Sequence, residues 1–145
     1  SYSYSGVNKL EGYKDALKAK GITPSDELIR QCPKDIEAAR ELLLSLHREG
    51  LEFDAVITSD DSLAVGAVKY AHIADISIPR DLSIIGYNNS LLARCTDPEI
   101  TSIDSKVEAL CTTTINTLMG VFSGVNVPSR TTIASDLIKR KTTNF

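Results

Sequence analysis

The chain predicts an α/β fold, a mostly parallel sheet with helices on both faces. Two observations carry this. Segments with apolar residues at helical spacing alternate with short unbroken apolar runs along the 145 residues. Runs such as Ala55 to Thr58 and Leu82 to Tyr87 also lack the polar alternation of a half-solvated strand, which suits strands covered on both faces.

The first helix is marked by Leu10, Tyr13 and Leu17, from about Lys9 to Lys20, with Gly21 as its stop. Leu28-Ile29 is a candidate short strand. Ile36, Ala39, Leu43 and Leu46 stripe a second helix that ends before Gly50. Phe53 to Thr58 has strand character, and Asp60 or Asp61 can cap a third helix bearing Leu63, Val65, Ala67 and Tyr70. A turn at Pro79-Arg80-Asp81 leads into the strand Leu82 to Tyr87, and Thr101 to Ser105 reads as another strand. Val107, Leu110, Ile115, Leu118 and Phe122 stripe a long last helix closed by Gly124; a final strand spans Thr131 to Lys139. No repeat or internal linker interrupts the series, so one domain is expected.

A net charge of −3 argues against a nucleic-acid-binding face on this chain. The basic run Lys139-Arg140-Lys141 reads as a solvated end. No segment approaches the ~20 apolar residues of a membrane helix, so no membrane association is expected. The first residues lack the charged start and apolar stretch of a signal peptide, which favours the cytoplasm. Cys32, Cys95 and Cys111 form no CxxC pair and read as reduced thiols. His47 and His72 have no ligand spacing, so neither a metal nor another cofactor is expected.

Ligands of open parallel sheets bind beyond the carboxyl ends of the strands. Two such ends here are unusually polar: TSDDS, Thr58 to Ser62, and GYNNS, Gly86 to Ser90. Asp and Asn in these places often only cap helices and fill turns, and Asp61 and Asn89 are read that way. Asp60 and Asn88 lie one residue closer to their strands, where ligand contact is as good an explanation as a turn. Catalysis finds no support. GxGxxG after a strand, GxxxxGK[ST] and GxSxG are all missing, so no catalytic residue is named and the chain is read as a non-enzyme. A small α/β enzyme or phospho-receiver module would need, besides Asp60-Asp61, an isolated acceptor Asp and a strand-ending Lys that this sequence does not set out.

Four motifs in order resemble the LacI/GalR family of transcriptional regulators. Ser5 to Leu17 resembles the family's SxxxRxxGYxxAL, and Phe53 to Ala67 its strand followed by NDxxAxGA. IPRDLSIIGYNNS with LLARCTDPEITSID, Ile78 to Asp104, resembles its proline turn, GfDd and PplTtv. SDLIKRKTT, Ser135 to Thr143, resembles its terminal strand and tail. The likeness runs from Ser3 to Thr143.

The resemblance implies a type I periplasmic-binding-protein-like fold, with residues 1–145 as the C-terminal part of a sugar-sensing effector domain. A helix-turn-helix headpiece and most of an N-terminal subdomain would then lie outside the chain. Operator DNA would be reached only through that headpiece. A cytoplasmic homodimer is implied, with the helix after Asp61 and the stretch Leu91 to Thr96 in the regions that pair subunits. The family's effector contacts fall on Ser5, Lys9, Asp60 and Asn88, and Gln31 or Cys32 lies near a position that often stacks an aromatic ring on the sugar. Tyr2, Tyr4 or Tyr87 could replace that ring.

Lys9 stands where arginine is usual and lacks its rigid fork. Asn88 stands where an aspartate is usual and can donate as well as accept. The GYNNS variant resembles maltose-type repressors. The family's first strand also precedes Ser3, and another segment or a neighbouring chain, through a strand such as Thr131 to Lys139, is expected to fill its place. A fragment of an extracytoplasmic sugar-binding transport protein, sharing this fold, is the alternative.

Overall fold

The computed structural model describes residues 4–145. Helix α1 runs Tyr4–Ala19, α2 Ile36–Arg48, α3 Asp61–Ile73, α4 Leu91–Arg94 and α5 Val107–Phe122; strands are β1 Ala55–Ile57, β2 Ser83–Tyr87, β3 Thr101–Asp104 and β4 Asp136–Ile138. The strands form one sheet in the order β1-β2-β3-β4. β1, β2 and β3 are parallel, and β4 runs antiparallel beside β3, with Ile103 opposite Leu137. The α/β fold with a mostly parallel sheet is as the sequence predicts.

Several helix ends follow from single residues. Gly21, Gly50 and Gly124 take positive φ after α1, α2 and α5, as their positions suggest. Asp35 caps α2, its carboxylate accepting from Ala38 N at 2.9 Å. α1 starts five residues before Lys9, at Tyr4.

Three expectations are corrected. Leu28-Ile29 is no strand: Asp26–Leu28 forms a 3-10 turn, with Leu28 N donating to Ser25 O and Ile29 N to Asp26 O. The final strand is only Asp136–Ile138, since residues 129–135 make no ladder bonds. It also lies on the far side of β3 from β1, so it fills no place beside β1; among the described residues no strand pairs with β1's outer edge. The short α4 escaped the sequence reading altogether.

The core lies between α3 and the sheet. Ala64, Ala67, Val68, Tyr70 and Ala71 of α3 are buried with Leu82, Ile84, Ala93 and Ile100. Of these, Val68, Leu82, Ile84 and Ile100 each contribute roughly 1.5–3 kcal/mol by burial. α2 packs on α3 so closely that a β-carbon on Gly66 would lie 2.7 Å from Ala39 Cβ. Glycine is therefore a packing requirement there. The tail closes the sheet: buried Thr142 accepts from Ile84 N through its carbonyl, and its hydroxyl bridges Ile84 O at 2.6 Å and Thr101 N at 2.9 Å. These fixed strands present their carboxyl ends on one side, where the polar loops gather.

Candidate functional site

Asp60 follows β1 with extended backbone, φ −160°, and caps α3. Its Oδ1 accepts from Ser62 N at 3.0 Å and Ser62 Oγ at 2.7 Å. Its Oδ2 accepts from Asn88 Nδ2 at 2.8 Å and pairs with Lys34 Nζ at 2.5 Å. Burial pushes the Asp60 carboxyl up, but the bonds from Lys34 and Ser62 outweigh it and hold it below the ordinary carboxylate value.

Asp61, expected as the cap, has the opposite role. It is 1% exposed and points under the sheet, where Oδ2 accepts from Ser90 N at 2.6 Å and Oδ1 from Ser102 Oγ at 2.6 Å. The extended residue just ahead of a helix aims its side chain back at the free amides, while the first helical residue cannot. That geometry assigns the cap to Asp60.

Asn88 and Asn89 both have positive φ, 99° and 50°. Asparagine tolerates this region better than most side chains. Asn88 N donates to Ile103 O at 2.8 Å, which turns its amide toward Asp60. Asn89 is not a cap; Ser90 holds the N-cap position of α4. The Asn89 side chain instead donates to Asp104 Oδ2 at 3.3 Å and accepts from Arg140 Nη2 at 2.5 Å. Arg140 also donates to Ile100 O at 2.8 Å, so the C-terminal tail braces the loop.

Lys9 arrives from α1. Its Nζ donates to Ser59 O at 2.9 Å and sits 3.4 Å from the centroid of the Tyr87 ring. Burial lowers its pKa and Lys34 adds to that, while Asp60 opposes. Ser5 lines the same cleft, one turn before Lys9, with Tyr4, Tyr87 and Ile103. The structure therefore sets Asn88 against Asp60 and holds Lys9 on the neighbouring Ser59 carbonyl, while Ser5, Lys9 and Tyr87 line the cleft.

Of the tyrosines considered, Tyr87 lies under Lys9 and Tyr4 lines the cleft, whereas Tyr2 falls outside the described residues. Gln31 is exposed and Cys32 half-buried; the residue of that loop that reaches the site is Lys34, which sequence reasoning missed. Its only signal was a place just ahead of Asp35, the cap of α2. Among the described residues no group of three or more His, Cys, Asp or Glu could hold a metal ion, and the three cysteines are free. A carboxylate and an amide in contact, with an ammonium held on the adjacent Ser59 carbonyl, are groups that can bind a polar, hydroxyl-bearing molecule.

Residues 3–143 match the sequence pattern of the periplasmic binding protein-like domain. The chain belongs to that family. This periplasmic-binding-protein-like chain is 53% identical over 145 residues to an HTH-type transcriptional regulator of Lachnoclostridium phytofermentans, covering all of this chain and 44% of that protein. It is 29% identical over 138 residues to the HTH-type transcriptional regulator AscG of Escherichia coli, covering 95% of this chain and 41% of that one. The crystal structure of a LacI-family sugar-binding transcriptional regulator from Escherichia coli, complexed with phosphate, superposes with a TM-score of 0.88 at 28% identity, covering 97% of this chain and 50% of that one. The chain spans half or less of these relatives. They bear out the LacI/GalR-type resemblance; they are regulators, not enzymes. Among the described residues no helix is long and apolar enough to cross a membrane.

Proposed function

We propose that this chain is the C-terminal part of the effector-binding domain of a sugar-responsive transcriptional regulator. The observation that carries the reading is the pairing of Asn88 Nδ2 with Asp60 Oδ2 at 2.8 Å, with Lys9 held on the adjacent Ser59 carbonyl. A sugar hydroxyl both donates and accepts, and the Asp60–Asn88 pair holds an acceptor and a donor in contact. Ser5 adds a hydroxyl on the cleft wall, and Tyr87 an apolar surface for a ring face. The solved relative described as sugar-binding supports this class of ligand.

In this reading the regulator works in the cytoplasm as a homodimer and reaches operator DNA through a helix-turn-helix headpiece beyond this chain. The dimer reading is supported by Leu91 and Leu92, which α4 leaves 67% and 40% exposed. The GYNNS loop points toward a maltose-type α-glucoside.

The test is a thermal-shift panel of mono- and disaccharides on the full-length protein. A true effector at about one hundred times its Kd stabilises by about 2.7 kcal/mol, a shift of several degrees. No shift with any sugar would overturn the reading.

A further inference from the structure

The oxygens of Asp60 are already engaged within the protein. Oδ1 takes Ser62 N and Ser62 Oγ, and Oδ2 takes Asn88 Nδ2 and Lys34 Nζ. A carboxylate has about four acceptor directions, so these donors leave none for a ligand hydroxyl. One donor must yield before Asp60 can accept from anything else.

The four donors are unequal. Ser62 N belongs to the cap of α3, and the part-buried Ser62 hydroxyl bonds the same Oδ1 from the same residue. Asn88 is half-buried, and its backbone is pinned to Ile103 at positive φ. Lys34 differs on both counts. It comes from the loop ahead of α2, and its side chain is 67% exposed while the Asp60 side chain is 11% exposed. Exposed ion pairs contribute little, and a long side chain regains rotamer freedom when released. Lys34 is the donor that can leave.

Resting on the sugar-binding reading above, we propose that Lys34 is an internal competitor for Asp60, which a ligand hydroxyl displaces, and that it thereby sets the affinity of the site. Lys34 is then an affinity-determining residue that never needs to touch the sugar. Salt gives the device a signature. Screening weakens the attraction of ammonium for carboxylate more than a hydroxyl bond to the same oxygen. A neutral sugar therefore binds more tightly as ionic strength rises, whereas simple displacement of a neutral side chain would leave affinity flat.

The experiment is isothermal titration of glucose, galactose, maltose and cellobiose into the full-length protein, at about 50 and about 500 mM NaCl. Wild type is compared with Lys34→Met, which keeps the aliphatic stem, and Lys34→Arg, which keeps the charge. Lys34→Met is expected to bind the recognised sugar about twofold to fivefold more tightly at low salt and to lose the salt dependence. Lys34→Arg is expected to keep it. If a sugar binds wild type but Lys34→Met is no tighter, or weaker, the competitor is overturned and the sugar site stands. If none of the four binds either protein while both melt cooperatively, the sugar reading itself fails and takes the competitor with it.

Discussion

Asp61 and Gly86 share one space: a β-carbon built on Gly86 would overlap Asp61 Oδ1, with Ile100 Cγ2 3.3 Å away. Asp61 is at the same time bonded to Ser90 N and Ser102 Oγ, so it cannot swing aside without breaking both bonds. The glycine next to the end of β2 and the aspartate that starts α3 therefore fit only as a pair. Gly86→Ala is expected to destabilise the protein by about 1–3 kcal/mol, as overpacking does. Urea unfolding would read this as a lower midpoint at an unchanged slope. Wild-type stability in Gly86→Ala would show that Asp61 is not held as described.

Asp61→Ala should relieve that crowding yet still destabilise. It strands the Ser90 N–H and the buried Ser102 hydroxyl, each costing about 1–3 kcal/mol when unsatisfied. The double variant Asp61→Ala/Gly86→Ala should then be much less unstable than the two single losses added together. A double-mutant cycle on chemical denaturation checks this, and simple additivity would contradict it.

Asn88→Ala removes the amide that meets Asp60 while leaving the strand and α3 in place. The melting temperature without added sugar is expected to fall by no more than about 2–4 °C, and the stabilisation by sugar to vanish. A sugar response as large as wild type would reduce Asn88 to a turn residue.

The Asp60 carboxyl sits below its ordinary value in the folded state, so the folded protein binds its proton less readily than the unfolded chain. Its contribution is therefore fully present above the ordinary aspartate value of 3.8 and is lost as pH falls through the lower folded value. Asp60→Asn keeps a competent helix cap but cannot ionise. Its melting temperature should fall less steeply than wild type below about pH 4. Parallel acid profiles of the two proteins would argue against the Lys34 and Ser62 bonds as the cause.

Thr142→Val keeps the shape of the tail and removes one hydroxyl. Ile84 O and Thr101 N each lose a side-chain partner inside the sheet. A loss of about 1–3 kcal/mol is expected in chemical denaturation. Little change would mean that the Thr142 hydroxyl adds nothing to the pairing of β2 with β3.

Periodicity and end signals are local, so the sequence by itself determined the alternation of helices and strands, the glycine stops at Gly21, Gly50 and Gly124, and the polar strand ends at Asp60 and Asn88. The ordered motifs added the family and drew Ser5, Lys9, Asp60 and Asn88 together as one candidate site. What the sequence left open or misassigned depends on direction and distance. Whether Asp60 or Asp61 caps α3 turns on one residue's φ and on where its side chain then points. Asn89 reads as a cap until Asp104 and Arg140, 15 and 51 residues away, are seen to hold it. Lys34 reaches Asp60 only because α2 packs tightly on α3 through Gly66 and Ala39. The partner of β4 and the shortness of that strand were also decided in three dimensions, because a ladder needs a second edge at the right spacing and no single segment carries that information.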